Sequence, residues 1–197
     1  MAVNPVACAE LLAGLDPSCE ALNKIGGVAK RVWIGQVDQR ASYTVDGTSK
    51  AVNTVLMKEL STGVFYQLFK FIGKRDKHDF GAVGTGGENA PTYEHTGILT
   101  LYAFSQLEQN KIEDLFKADD LFCFIETYSG QIKVYGIDKG LNGTNLEVKE
   151  GVLPNDPTSI KVTLVGIEMK MPMIFNTATG TLAANITYLD AKNGTAA

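Results

Sequence analysis

The sequence predicts a mainly β, α+β fold: a β-sandwich or rolled barrel flanked by one α-helix. Three observations predict it. Alternating apolar and polar runs recur along the chain, among them VWIGQV at 32–37, VFYQLFKFI at 64–72 and SIKVTLVGIEM at 159–169, and a period of two is the mark of a strand with two distinct faces. Only one stretch, at 105–117, combines a helical period with a start signal. Hydrophobic residues make up 45% of 197 positions and charged residues 20%, which is ample for one packed core and argues against global disorder.

The composition divides the chain into an N-terminal arm at 1–27, a β domain at 28–175 and a C-terminal arm at 176–197. The first arm reads as short helical pieces closed by Gly26 and Gly27. Its start, MAVNPVACAELLAGLDPSCEAL, has no positive n-region and carries Glu10 and Asp16, so it does not read as a signal peptide. No apolar run approaches the roughly 20 residues of a membrane helix. The expectation is a protein kept in the cytoplasm that makes it, or packaged from there, with no membrane partner.

In order, 29–37 is the first strand, with Val32, Ile34 and Gln36 on one face and Trp33, Gly35 and Val37 on the other. Residues 38–50 are polar and turn-rich, and 52–57 is a second short strand. Residues 64–72 alternate with bulky groups on both sides, which predicts one strand covered by a helix on one face and a neighbour on the other. A basic turn follows. Gly81 to Pro91 then reads as a glycine-rich loop, and 92–104 as a long strand running into the helix. Loops of that length commonly serve function or a partner.

Ser105 with Glu108 three residues on is a capping box. Leu107, Ile112, Leu115 and Phe116 fall near one face of the helix it opens. The apolar run 121–127, a Ser-Gly turn and the alternation of 131–138 predict a hairpin. Residues 140–156 read as a loop with a possible strand at 146–149, and Asn142-Gly143 as a turn. In 159–169, Ile160, Val162, Leu164, Gly166 and Glu168 share a face, and Pro172 ends the strand. The last segment is small and polar, with one strand-like patch at 184–189, and predicts an arm ordered against a neighbour.

Chemistry is sparse. The two histidines, His78 and His95, flank the glycine-rich loop and could lie on facing strands, but with Glu94 they match no metal-ligand spacing. The glycine run lacks the GK[ST] ending of a phosphate loop and leads into a strand, not a helix. Glu113-Asp114 and Asp119-Asp120 suit helix solvation and turn chemistry, and DKGLNGTN lacks the closing Glu of an EF-hand loop. Cys8, Cys19 and Cys123 form no CxxC pair, and Cys123, inside LFCFI, reads as a core residue. No catalytic, cofactor or metal set is predicted. The net charge of -4 argues against gripping phosphates over the whole surface. Lys70, Lys74, Arg75 and Lys77 are the one local basic patch, best read as a solvated turn. Aromatics concentrate on strands, where most should be core and some should mark an interface.

The run ETYSGQIKVYGIDKGL, the segment NDPTSIKVTLVGIEMKMP and the GGV-R-VWIGQVDQ first strand together resemble tail structural proteins of phages and prophages of gut Bacteroidetes, including ring and tail-tube-like proteins of crAss-like phages. The resemblance spans roughly 20–175. It implies a non-enzymatic virion protein of a tail or head–tail connector, assembling with copies of itself in a six- or twelve-fold ring whose lumen passes DNA. Neighbouring tail or portal proteins would be its other partners. It further implies that 64–104 contributes the inner sheet or an inter-ring loop, that the helix packs outside, and that both arms reach other subunits. The candidate interface residues are Phe65, Tyr66, Phe69, Phe71, Gly84, Gly86, Gly87 and Pro91. A capsid-surface or head-fibre protein, β-rich but without a lumen, is the alternative, and a small β-rich enzyme or ligand-binding domain is a third.

Overall fold

The computed structural model describes residues 28–72, 77–86, 91–101, 105–149 and 159–192. The expectations for the arm at 1–27, for Gly87, Lys74, Arg75 and Tyr102, and for 193–197 lie outside the described residues.

Seven strands form one sheet, in the order β2 (Arg40–Val45), β3 (Val52–Met57), β13 (Met173–Phe175), β10 (Ile132–Tyr135), β9 (Leu121–Thr127), β1 (Val28–Gln36) and β6 (Phe69–Ile72). Four form a second, in the order β11 (Asn142–Lys149), β12 (Ser159–Glu168), β8 (Thr92–Leu101) and β7 (Asp79–Thr85). β4 (Glu59–Ser61) and β5 (Val64–Phe65) make a separate hairpin. The helices are α1 (Gln106–Lys117) and α2 (Leu182–Ala191). The protein is mainly β with helices added, as the alternation predicts.

The larger sheet is rolled. β1 and β2 stand sixth and first in its order, yet only the 3-10 turn Val37–Gln39 joins them. Five strand spacings of a flat sheet cover about 24 Å, whereas the chain from Gln36 to Arg40 reaches at most about 14 Å. The roll has a weak seam: β3 meets β13 through the single parallel pair Phe175↔Val52.

At β1 and β9 both faces of the larger sheet are buried, which is why β9 reads as an unbroken apolar run. On one face Val32, Ile34, Leu121, Cys123 and Ile125 pack against Leu99, Leu101, Ile160, Val162 and Leu164 of the second sheet, with Ile112 and Leu115 of α1. On the other, Trp33, Phe122, Phe124, Val52, Val55 and Phe175 form a second cluster with Leu189 of α2. The predicted faces of the first strand therefore belong to different cores. Phe124 meets Phe122 and Phe175 edge-on, at 5.8 and 5.1 Å between ring centroids; such pairs add roughly 0.5–1.5 kcal/mol each beyond area burial.

Several predicted elements are corrected. The capping box is present, Glu108 N–H donating to the Ser105 hydroxyl and Ser105 N–H to Glu108 Oε2, but Leu107 is exposed and the buried stripe is Ile112 and Leu115. The run 64–72 is not one strand. It breaks between β5 and β6, because Tyr66 N–H turns to the Lys58 carbonyl and Leu68 N–H to the Lys192 carbonyl. Residues 79–85 form β7, paired along β8, so the predicted glycine loop begins only at Gly86. The polar stretch 38–50 contains β2, and Asn142-Gly143 opens β11 instead of making a turn.

The largest correction is at the C-terminus. The strand-like patch at 184–189 lies within α2, so the described residues hold a second helix beside the predicted one. Thr181 caps α2 by accepting the Ala184 N–H. Leu182, Ile186 and Tyr188 pack on the second cluster beside the buried Leu189, and the fully buried Asn185 accepts the Thr177 N–H and hydroxyl. The helix end is pinned as well: Asp190 accepts from the Trp33 indole at 2.8 Å and from Lys70 at 2.8 Å. Up to Lys192, the segment is therefore part of the chain's own core.

Candidate functional site: an apolar margin and a clamped loop

Among the eight predicted interface residues, Phe65 and Phe69 are exposed, at 53% and 48%. Tyr66 is half-buried on the second cluster and Phe71 half-buried on the first. The register explains the split: Phe71 lies beside Val32, and Lys70 beside Trp33. Gly84, Gly86 and Pro91 are exposed, and a Cβ on Gly84 would meet the Tyr93 ring at 3.1 Å. The structure adds residues that alternation alone did not single out. Leu60, Val64 and Ile72 are exposed at 60%, 49% and 60%, and Val83 on the edge strand β7 at 66%. The signal for the first two was the Ser-Thr-Gly turn at 61–63: Gly63 has φ +77, and its N–H donates to Glu59 Oε1 at 2.6 Å. Of the basic patch, Lys70 is paired with Asp190 and Lys77 is exposed.

The most ordered polar chemistry surrounds the loop 136–140 after β10. Gly136 and Gly140 have φ +65 and +92. A Cβ on Gly136 would lie 2.7 Å from the Leu121 carbonyl oxygen, and one on Gly140 would strike the Asp120 backbone. Glu168, 2% exposed, accepts the N–H groups of Asp138, Lys139 and Gly140 at its Oε1, at 3.0, 2.9 and 3.3 Å. A buried carboxylate with three amide donors is the satisfied form of an otherwise costly burial.

His95 holds the other side of the loop. Gly136 N–H donates to His95 Nδ1 at 3.2 Å, and His95 Nε2 lies 3.0 Å from the Lys170 carbonyl. Nδ1 is thus the acceptor and Nε2 carries the proton, in a neutral ring. Burial lowers its pKa from the ordinary 6.5, against opposing effects of the Lys170 bond and the Glu168 charge. The Lys170 side chain meets Asp138 at 3.1 Å and the Tyr43 hydroxyl at 3.1 Å, and that hydroxyl donates to Asp138 at 2.5 Å. Burial, despite favouring the neutral acid, is outweighed at Asp138 by the bonds from Tyr43 and Lys170, which hold its carboxyl below the usual range.

The histidines do not face each other. His95 stands opposite Ala82, whereas Asp79 stands opposite Ile98, which places His78 about four rungs, or roughly 13 Å, further along the ladder. His78 accepts the Thr100 N–H at Nδ1. Among the described residues no group of three His, Cys, Asp or Glu side chains is arranged to hold a metal. Burial pushes the Cys123 thiol far up, leaving it unreactive. No helix among the described residues is long and apolar enough to cross a membrane. No family model matches the chain, and neither the curated proteins nor the solved structures give a match.

Proposed function

We propose that the chain is a structural subunit of a phage virion, in a tail or head–tail connector, that assembles beside copies of itself into a ring around a DNA-conducting lumen. One observation carries the reading: the apolar margin of Leu60, Val64, Phe65, Phe69 and Ile72 left exposed along 60–72. Two of these lie on β6, the last strand of the larger sheet, whose outer edge has no partner among the described residues. Such edges and patches are suited to strand or side-chain partners, and a ring multiplies each modest contact. The net charge of -4 fits a lumen that lets DNA slide instead of binding it. Adjacent tail or portal proteins would meet the ring ends.

Sedimentation and negative-stain microscopy of the purified chain test this. Rings with a central hole are expected, while assemblies without a lumen would favour a capsid-surface or head-fibre role. A monomer at all concentrations overturns self-assembly. Changing Phe65 and Phe69 together to Glu should weaken association at least about tenfold, since interface anchors cost over ~1.4 kcal/mol when lost, with the circular dichroism spectrum retained.

A further inference from the structure

The outer strands of the two sheets differ in how well their edges are defended. β2 carries Arg40 and two register shifts against β3. β6 has only four residues and carries Lys70. β11 has a shift between Gly143 and Asn145 and carries Glu147 and Lys149. Bulges, brevity and charge of this kind blunt a strand edge. β7 lacks them along its length. It pairs with β8 at seven consecutive positions without a shift, contains no Lys, Arg or Pro, and bears one charge, Asp79, at its start. All its residues except Phe80 are exposed, and Val83, at 66%, is the most exposed large apolar side chain among the described residues. The outer edge of β7 has no partner among the described residues.

This edge is held in place from behind. Phe80 packs on the first cluster, its ring centroid 5.4 Å from that of Tyr135, and lies against Gly97, where any Cβ would strike it. A fixed edge loses little freedom on pairing. Alternate residues of an antiparallel strand turn both N–H and C=O away from the neighbour they leave unbonded. β7 thus offers a second strand a regular row of donors and acceptors.

We propose that β7 takes β7 of a second copy, antiparallel and with Ala82 on the two-fold axis, so that two small sheets become one. The composition of the strand selects this register. All seven residues pair, and Asp79 stands opposite Thr85 of the other copy, an acceptor facing a hydroxyl. Parallel pairing in register would set Asp79 beside Asp79, and like charges there oppose association. Phe80 faces Gly84 of the other copy and Val83 faces Gly81, so each bulky side chain covers a glycine across the pair. The contact is isologous, one surface meeting itself. It is separate from a ring contact, which joins two different surfaces, and does not depend on the proposed ring. One strand pair is smaller than the roughly 1,200 Å² of a stable interface. The dimer should therefore be weak, gaining strength where copies are held close together.

Cysteine trapping on the full chain tests this, with Cys8 and Cys19 changed to Ser and the buried Cys123 kept. Directly opposed residues lie about 4.5–5.5 Å apart between Cα atoms, within disulfide reach, whereas the two residues 83 would be about 8 Å apart, beyond it. Ala82→Cys should form a disulfide dimer under mild oxidation at least about tenfold faster than Val83→Cys. Adding Val83→Lys to Ala82→Cys places a charge on the edge and should slow the reaction at least about tenfold, with the circular dichroism spectrum retained. On the unmodified chain, amide exchange across Gly81–Gly84 should slow as concentration rises. No dimer from Ala82→Cys, equal rates at 82 and 83, no effect of Val83→Lys, or exchange independent of concentration overturns the pairing. The ring is judged apart. With Phe65→Glu and Phe69→Glu added, the Ala82→Cys dimer should form as before, and its loss there overturns the self-pairing edge even if the parent chain makes rings. Dimers without rings leave the edge standing and remove the ring.

Discussion

A carboxylate removed from water must find donors or be neutralised, and Glu168 finds three consecutive amides. It stands on the inward face of β12, in line with Ile160, Val162 and Leu164. The sequence shows that anomaly directly, a charge at the end of an apolar face, but not where its partners come from, because Asp138 and Gly140 lie about thirty residues upstream. Bonds from a charged acceptor contribute about 1.5–3 kcal/mol net apiece, with shared geometry here reducing the sum. Glu168→Ala should therefore lower unfolding stability by roughly 3 kcal/mol in urea titration, and Glu168→Gln by less. The glycines flanking the loop were likewise visible as letters, while the backbone contacts requiring them were not.

Elements were legible where their period was pure. The strands at 52–57 and 159–168, the capped helix and the hairpin β9–β10 follow from alternation and capping. α2 was missed although Leu182, Asn185, Ile186 and Leu189 stand at the i, i+3, i+4, i+7 positions of a helical face. A polar residue in that stripe and the surrounding Thr and Asn residues hid it. Asn185 belongs on the face because it satisfies the turn at Thr177. The run at 64–72 misled in the opposite sense. Its alternation is real, but the backbone of Leu68 is taken by the end of α2, a long-range competitor that periodicity does not contain. Tyr188→Phe should cost about 1–2 kcal/mol, since it strips both backbone groups of Val55 of their partner, and exchange at Val55 should rise.

For the whole molecule, the sequence conveyed the class and the existence of one sandwich, but not the strand order. Pairing of β1 with β6 and β9, or of β13 with β3, depends on closure over long separations that local patterns do not encode. It also mistook a core helix for an arm. A chain ending at Gly180 should lose the cooperative thermal transition altogether, because the second cluster would be left open along its α2 face; a sharp transition near that of the intact chain would show α2 to be dispensable. Of the predicted interface residues, alternation did not separate the exposed Phe65 and Phe69 from the half-buried Tyr66 and Phe71; the break at 66–68 and the β6 register do.

The seam where β3 touches β13 through one residue pair gives the fold a mechanical grain. Tension applied through residues 40–57 would be opposed by one ladder pair and by the packing of Val52, Val55 and Met57 on the second cluster, whereas tension applied through β8 or β12 would meet a nine-pair ladder. In a force-extension experiment the hairpin should peel away first, as a small early yield, with the sandwich giving way only at higher load.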